Sequence, residues 1–231
     1  MIHINNLLRD LYISTLPNLA KMYSTLDSAG ITNYVGPLLL YCWEEDYLNS
    51  KHKLLIIGQE TNGWKDDYIK TSSDIDDSIE YYRRFQLGTE YNSLFWRYAH
   101  EINQMINETD NLNFVWNNIN KFGVDGKGRP EKIVLEEENK HYNIFQEEIE
   151  ILSPDVCIFL TGPNYDADLQ QKFPNISHLE FADYPIRKVS QLSSNFLPTH
   201  SYRLYNPGYG NRYSEWYYKI LDSIVKKING V

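Results

Sequence analysis

The sequence predicts an α/β fold of three layers, α/β/α, built on a central and mainly parallel sheet of four strands. Three observations carry that expectation. Short apolar runs alternate with stretches of helical spacing, the pattern of strands joined by crossover helices. The cleanest of the runs are continuous, as in strands covered on both faces. They end in Gly, Asn or Pro, which turn the chain where a strand stops.

The elements follow in order. Positions 5–29 place Leu7, Leu8, Leu11, Tyr12, Leu16, Leu19, Met22, Tyr23 and Leu26 at helical spacing, with Pro17 breaking or restarting the helix. Gly36–Pro37 opens PLLLYCWEEDYL, which reads as a further buried helix, so residues 1–50 form a helical lead-in packed on the core. KLLIIG (Lys53–Gly58) is the first strand. A long polar insertion holding a helix leads to the second, FVWNNI (Phe114–Ile119). A loop and an acidic helix ending in EEIEILSP precede the third, DVCIFLTG (Asp155–Gly162). After an irregular segment comes HSYRLYNP (His200–Pro207), whose weaker apolar character suits an edge strand. Ser214–Ile228 closes the chain as an amphipathic helix, with Ser214 at its N-cap and lysines in its last turn. No repeat, low-complexity tract or linker interrupts this order, so residues 1–231 are expected to form one domain.

Composition narrows the classes. The 231 residues are 42% apolar and 23% charged, an ordinary globular balance. Aromatics reach 14%, led by 19 Tyr, which points to a surface that contacts something. The apolar stretches Pro37–Cys42, Leu54–Ile57 and Val156–Leu160 are too short to span a bilayer. MIHINNLLRDLY has polar residues where a signal peptide is apolar, so a cytoplasmic location is expected. Cys42 and Cys157 each sit in an apolar run and read as buried, inert thiols. Two cysteines cannot ligate a four-thiolate cluster and no Cys/His spacing suggests zinc, so no metal or other cofactor is expected. With 22 Lys+Arg against 31 Asp+Glu the net charge is −9, unlike a general nucleic-acid binder. A local basic face remains open, since Thr199–Val231 holds five basic residues and two acids.

In parallel sheets ligands bind outside the C-terminal ends of the strands. Those ends are Gly58–Trp64, Asn117–Lys121, Thr161–Asp166 and Asn206–Asn211, rich in Gly, Asn and aromatics rather than in the Ser/His/Asp set of a hydrolase. Glu60 is a carboxylate able to activate water or stabilise a developing cation. Asn118 offers a planar donor and acceptor suited to reading the edge of a heterocycle. Trp64, Tyr68, Phe85, Phe95 and Trp96 are candidates for stacking on a ring. His100 and His200 lack a partner motif and read as structural.

Together these ends resemble the uracil-DNA glycosylase superfamily. GQET resembles its water-activating first motif, and WNNINK its Asn-containing second motif. LSPDVCIFLTGP is similar to its Pro-led strand ending in Gly, and YNPGYG to the His-Pro loop that closes the site. PLLLYCWEEDYLNSKHKLLIIGQETNGW is similar to the start of uncharacterised bacterial members. The likeness runs over residues 34–228 in the family order.

The resemblance implies a uracil-DNA glycosylase-like fold and a DNA-repair hydrolase that excises a flipped uracil or other damaged base from single- or double-stranded DNA. It puts Glu60 at the catalytic acid and Asn206 at the His of the closing loop. Gln59 would help hold the base, and Asn118 would read it, with Asn117 as the alternative one register away. Phe85 or Phe95 would stack on the base, and Tyr209 would enter the duplex. Lys121, Arg203 and Arg212 are the expected backbone contacts.

Three features depart from the family pattern. Thr61 replaces the Pro of the first motif. Asn206 replaces His, and its neutral amide stabilises charge less well, so slow uracil excision is expected. Lys65–Glu80 holds two Lys against six acids, which would repel phosphate. A non-catalytic module binding a nucleotide, nucleic acid or protein is the alternative. A small-molecule α/β hydrolase is disfavoured, because no G-x-S-x-G elbow is present.

Overall fold

The computed structural model describes residues 3–64, 68–126, 128–208 and 215–230. The lead-in forms α1 (Ile4–Ser14) and α2 (Leu16–Ser28), with Pro17 in the first turn of α2, where its missing N–H breaks no helical bond. The helix expected from Pro37 does not form. Pro37–Trp43 has no regular secondary structure, and only Glu44–Leu48 is helical, as α3. Its backbone donors find partners elsewhere: Leu38 N–H donates to the Lys121 carbonyl, Leu40 N–H to the Tyr12 hydroxyl and Cys42 N–H to Asn5 Oδ1. Tertiary partners thus replace helical ones, while Leu38, Leu39, Leu40 and Cys42 are wholly buried.

The sheet has six strands rather than four and is mixed rather than nearly all parallel. Its order is β2 (Phe114–Asn118), β1 (Leu54–Gly58), β3 (Val156–Phe159), β6 (His200–Leu204), β5 (Val189–Ser193), β4 (Ser177–Leu179). The first four are mutually parallel, and β5 and β4 continue the sheet antiparallel. The two added strands come from the segment expected to be irregular, and they make β6 an internal strand rather than an edge. Strand β4 has only three residues and is largely exposed, so no apolar run announces it.

Helices cover both faces. The polar insertion holds two, α4 (Ser72–Phe85) and α5 (Leu94–Asn107). The acidic stretch is split into α6 (Lys132–His141) and α7 (Phe145–Leu152), followed by α8 (Asp166–Lys172) and the terminal α9 (Glu215–Ile228). Ser214, the expected N-cap of that helix, lies outside the described residues. On one face Ile158 shares an apolar gap with Ile102 and Ile106 of α5 and Leu221 and Ile224 of α9. On the other, Phe159 meets Phe173 after α8, which in turn meets Phe145 of α7. A capping box between Thr71 and Asp74 starts α4. Between α4 and α5 the chain turns at Gln86, Leu87 and Gly88, all at positive φ. Gly88 has no substitute there, because a Cβ would strike the Trp96 indole. Among the described residues no helix is long and apolar enough to cross a membrane.

Beyond β2 the chain is gripped by buried charge. The Lys121 ammonium lies 2.6 Å from the Glu148 carboxylate and donates to Asn117 Oδ1 at 2.6 Å. Glu148 also accepts from the Tyr12 hydroxyl and from Asn117 Nδ2, both at 2.8 Å. Glu138 accepts the backbone N–H groups of Lys121 and Phe122 and the Lys172 ammonium. Burial pulls the Lys121 ammonium below its ordinary value, against the opposing pull of Glu148. Removing one partner would strand the other charge in the core. Glu148→Ala is therefore expected to lower unfolding free energy by about 3–5 kcal/mol in urea titrations. Lys121→Met combined with Glu148→Leu should lose clearly less. A single variant as stable as the native chain would refute this account.

Candidate functional site

The parallel strands β2, β1, β3 and β6 all end at one edge of the sheet, and Glu60, Asn118 and Asn206 all stand there. Glu60 lies on the loop after β1, which is tied to both neighbouring strand ends. Gln59 Nε2 donates to the Thr161 carbonyl at 2.7 Å, while the Gln59 carbonyl accepts from Asn120 N–H at 3.0 Å. Further on, Gly63 N–H donates to the Val124 carbonyl, and Thr61 packs so closely on Gly123 that a Cβ there would overlap the Thr61 carbonyl.

Four residues that the sequence reading gave no role surround Glu60. The Tyr165 hydroxyl lies 2.6 and 2.8 Å from the two carboxylate oxygens. The Arg129 guanidinium sits 4.5 Å from the centre of the Tyr165 ring and pairs with Asp168. Asn120 Nδ2 reaches the same Asp168 oxygen at 3.4 Å. Burial pushes the Glu60 carboxyl above the usual carboxylate range. Hydrogen bonds from Tyr165 and Asn120 and the charge of Arg129 oppose that shift, and Asp168 adds to it. Asn120 and Tyr165 belong to the strand-end segments the sequence marks. Arg129 and Asp168 carry no motif, and only folding brings them in.

Asn118 and Asn117 occupy opposite faces of β2. Gly58 pairs with Asn118 across the strands, and a Cβ on Gly58 would run into Asn118 Oδ1 and lie 3.3 Å from the Phe95 ring. The missing side chain thus lets an amide and an aromatic ring meet over β1. Asn118 Oδ1 accepts from Trp116 Nε1 at 3.2 Å, while its Nδ2 is buried without a partner. Asn117 points the other way, into the Lys121–Glu148 pair, so the two amides do not share a face. Phe95 is the ring beside Asn118. Phe85 instead packs among Trp64, Tyr91, Trp96 and Trp116 at 4.9–5.8 Å. Tyr68 is farther off, donating to Asp27 and edge-on to Tyr23.

The loop after β6 approaches that after β3: Gly162 N–H donates to the Leu204 carbonyl, and Gly162 adjoins the Asn206 backbone. Asn206 Oδ1 accepts from Gly208 N–H at 2.7 Å, closing an Asx turn. The expected backbone contacts need correction. Arg203 is 1% exposed, its guanidinium held by Asp166 and the carbonyls of Ile186 and Arg187. Lys121 is equally buried in its ion pair. Neither presents a charge to a phosphate. Tyr209 and Arg212 lie outside the described residues. His100 bonds the Leu87 carbonyl, and His200, beside Tyr202, starts β6 at the far edge.

Among the described residues no cluster of His, Cys, Asp and Glu is arranged to hold a metal ion. A cleft of about 320 Å³ opens at the opposite edge, where β1 and β2 begin, lined by Glu45, Asp46, Lys51, Asn107 and Asn113 among others. Its walls are polar, and none of the strand-end residues reaches it.

Fold and edge together define the class: an α/β protein on a mixed six-stranded sheet, with a partly buried acid and an amide–aromatic pair beyond its parallel strands. Neither a known protein family nor a curated protein matches the chain.

Packing over Gly58 gives a direct test. Gly58→Ala must displace the Asn118 amide or Phe95, and overpacking of this kind costs about 1–3 kcal/mol. A fall of that size in urea unfolding, without loss of helical signal, is expected. An unchanged midpoint would mean the amide and ring do not meet there.

Proposed function

We propose that this protein is a DNA N-glycosylase of uracil-DNA glycosylase-like fold, acting in the cytoplasm on a flipped, deaminated or otherwise damaged base. One observation carries the reading: the partly buried Glu60 carboxylate shares a sheet edge with an Asn118 amide and a Phe95 ring set against each other over Gly58. The parallel order β2-β1-β3-β6, with helices on both faces, supports the fold part of it. The free, buried thiols of Cys42 and Cys157 suit a reducing compartment.

In this reading the base leaves the stack, its ring lies on Phe95 and a base carbonyl accepts from the unpartnered Asn118 Nδ2. The bond between the base nitrogen and the sugar carbon breaks, and its electron pair leaves with the base. The sugar passes through an oxocarbenium-like state that the Glu60 carboxylate stabilises. Water adds to that carbon and gives its proton to Glu60. With Asn206 Oδ1 held by its own turn, the amide NH₂ is the group left to donate to the departing base.

A non-catalytic module on the same fold is the second reading. What favours it is the burial of Arg203 and Lys121 in a chain of net charge −9, which leaves few cations for a DNA backbone.

The deciding experiment incubates the protein with single- and double-stranded oligonucleotides carrying uracil, hypoxanthine or xanthine, then cleaves abasic sites with hot alkali. Strand scission is expected, with Glu60→Gln lowering the single-turnover rate by about 10²–10⁴-fold. Because the carboxylate is the working form and burial raises its pKa, the rate should fall with decreasing pH above the usual carboxylate range. No scission of any of these substrates, or a fully active Glu60→Gln, would transfer the case to the binding module.

A further inference from the structure

We propose that Tyr165 is a positioning residue, its phenol holding the Glu60 carboxylate in one orientation while Arg129 and Asp168 hold the phenol. This rests on the reading of Glu60 as the working acid, but the contacts stand by themselves. One hydroxyl lies within hydrogen-bonding distance of both carboxylate oxygens, at 2.6 and 2.8 Å. Such placement anchors the end of the carboxylate, with the one phenol hydrogen in reach of either oxygen.

The phenol is itself braced. Tyr165 ends the 3₁₀ turn Pro163–Tyr165 and is 3% exposed. The Arg129 guanidinium lies over its ring at 4.5 Å, a cation–π contact, and is paired with Asp168 at the start of α8. Asn120 closes the circuit, with its side chain near Asp168 and its backbone N–H on the Gln59 carbonyl. Loops after β1, β2 and β3 and the first turn of α8 are thereby joined around one acid. An exposed catalytic carboxylate would need none of this.

The arrangement also sets the balance of charge. Burial and Asp168 favour the protonated acid, while the Tyr165 hydroxyl, Asn120 and Arg129 favour the carboxylate. A phenol donates without competing for the charge, since its ordinary pKa is near 10. Losing it should leave burial less opposed.

The test separates the clamp from the reaction. Protein labelled with ¹³C at the glutamate carboxyls is titrated by NMR, the Glu60 signal being identified by its loss in Glu60→Gln. In Tyr165→Phe the Glu60 midpoint is expected to rise by about one to two pH units, the usual effect of one hydrogen bond to a charged group. Arg129→Gln should raise it by less, and it carries the same test if Tyr165→Phe does not fold. In parallel, the acid limb of single-turnover excision should move up with the midpoint, with substrate affinity unchanged. A folded variant whose Glu60 midpoint stays at the native value overturns the proposal, whatever its activity. Should the midpoint shift while the native protein excises nothing, the clamp is upheld and the glycosylase reading is the part that fails.

Discussion

The buried pairing of Lys121 with Glu148, backed by Glu138 and Lys172, is the constraint on which the upper edge of this sheet depends. These charges are buried, so each needs its partner and every remaining hydrogen-bonding position filled. That requirement draws together α1, the end of β2, α6, α7 and α8 through Tyr12, Asn117, Glu138, Glu148 and Lys172. The turn from Asn118 to Val124 has little freedom once both its backbone donors and its lysine are held. Asn118, Asn120 and Gly123 ride on that turn. The amide over Gly58, the bond from Asn120 to the β1 loop and the seat for Thr61 therefore follow from a charge pair on the opposite face.

A second layer of order surrounds Glu60. Carboxylates at a sheet edge are usually solvated and keep ordinary acidity. Here burial acts against the ionised form while a phenol, an amide and a guanidinium act for it. Perturbing influences of this kind cluster where chemistry is done. The aromatic assembly of Trp64, Tyr82, Phe85, Trp96 and Trp116 walls one side of this edge. It turns a good part of the high aromatic content into packing rather than open surface, and Phe95, beside Gly58, is itself edge-on to Trp96 at 5.1 Å.

Charge is distributed differently from what a phosphate-binding face requires. Two of the cations expected to contact a DNA backbone, Lys121 and Arg203, are internal struts. Arg203 holds β6 to Asp166 and to the chain before β5, and Lys121 holds the turn after β2. At this edge the Arg129 side chain is 39% exposed and partly balanced by Asp168. Any nucleic-acid path here would depend more on stacking and amide contacts than on dense positive charge.

Much of the framework was legible in the sequence. Continuous apolar runs located β1 and β2 to within a residue at either end, and β3 inside a longer expected run, since strands covered on both faces have no polar side to dilute the signal. Helical spacing located α1, α2 and α9, and strand-end logic picked out Glu60 and Asn118. Local pattern failed where distant partners overrode it. Pro37–Trp43 reads as helix yet forms none, because Tyr12, Asn5 and Lys121 supply its hydrogen bonds. Strands β4 and β5 carry little apolar signal and exist as extensions of β6. A lysine or arginine in sequence carries no mark of burial, so Lys121 and Arg203 passed for surface cations until Glu148 and Asp166 were found against them. The sequence by itself located β1, β2, β3 and β6 and showed which of their ends bear an acid and an amide, because those depend on neighbours along the chain. Only the tertiary structure decided that Asn118 rather than Asn117 faces Phe95, and that Tyr165, Arg129 and Asp168 gather on Glu60. Those facts depend on the pleat and on contacts between residues as many as 105 positions apart.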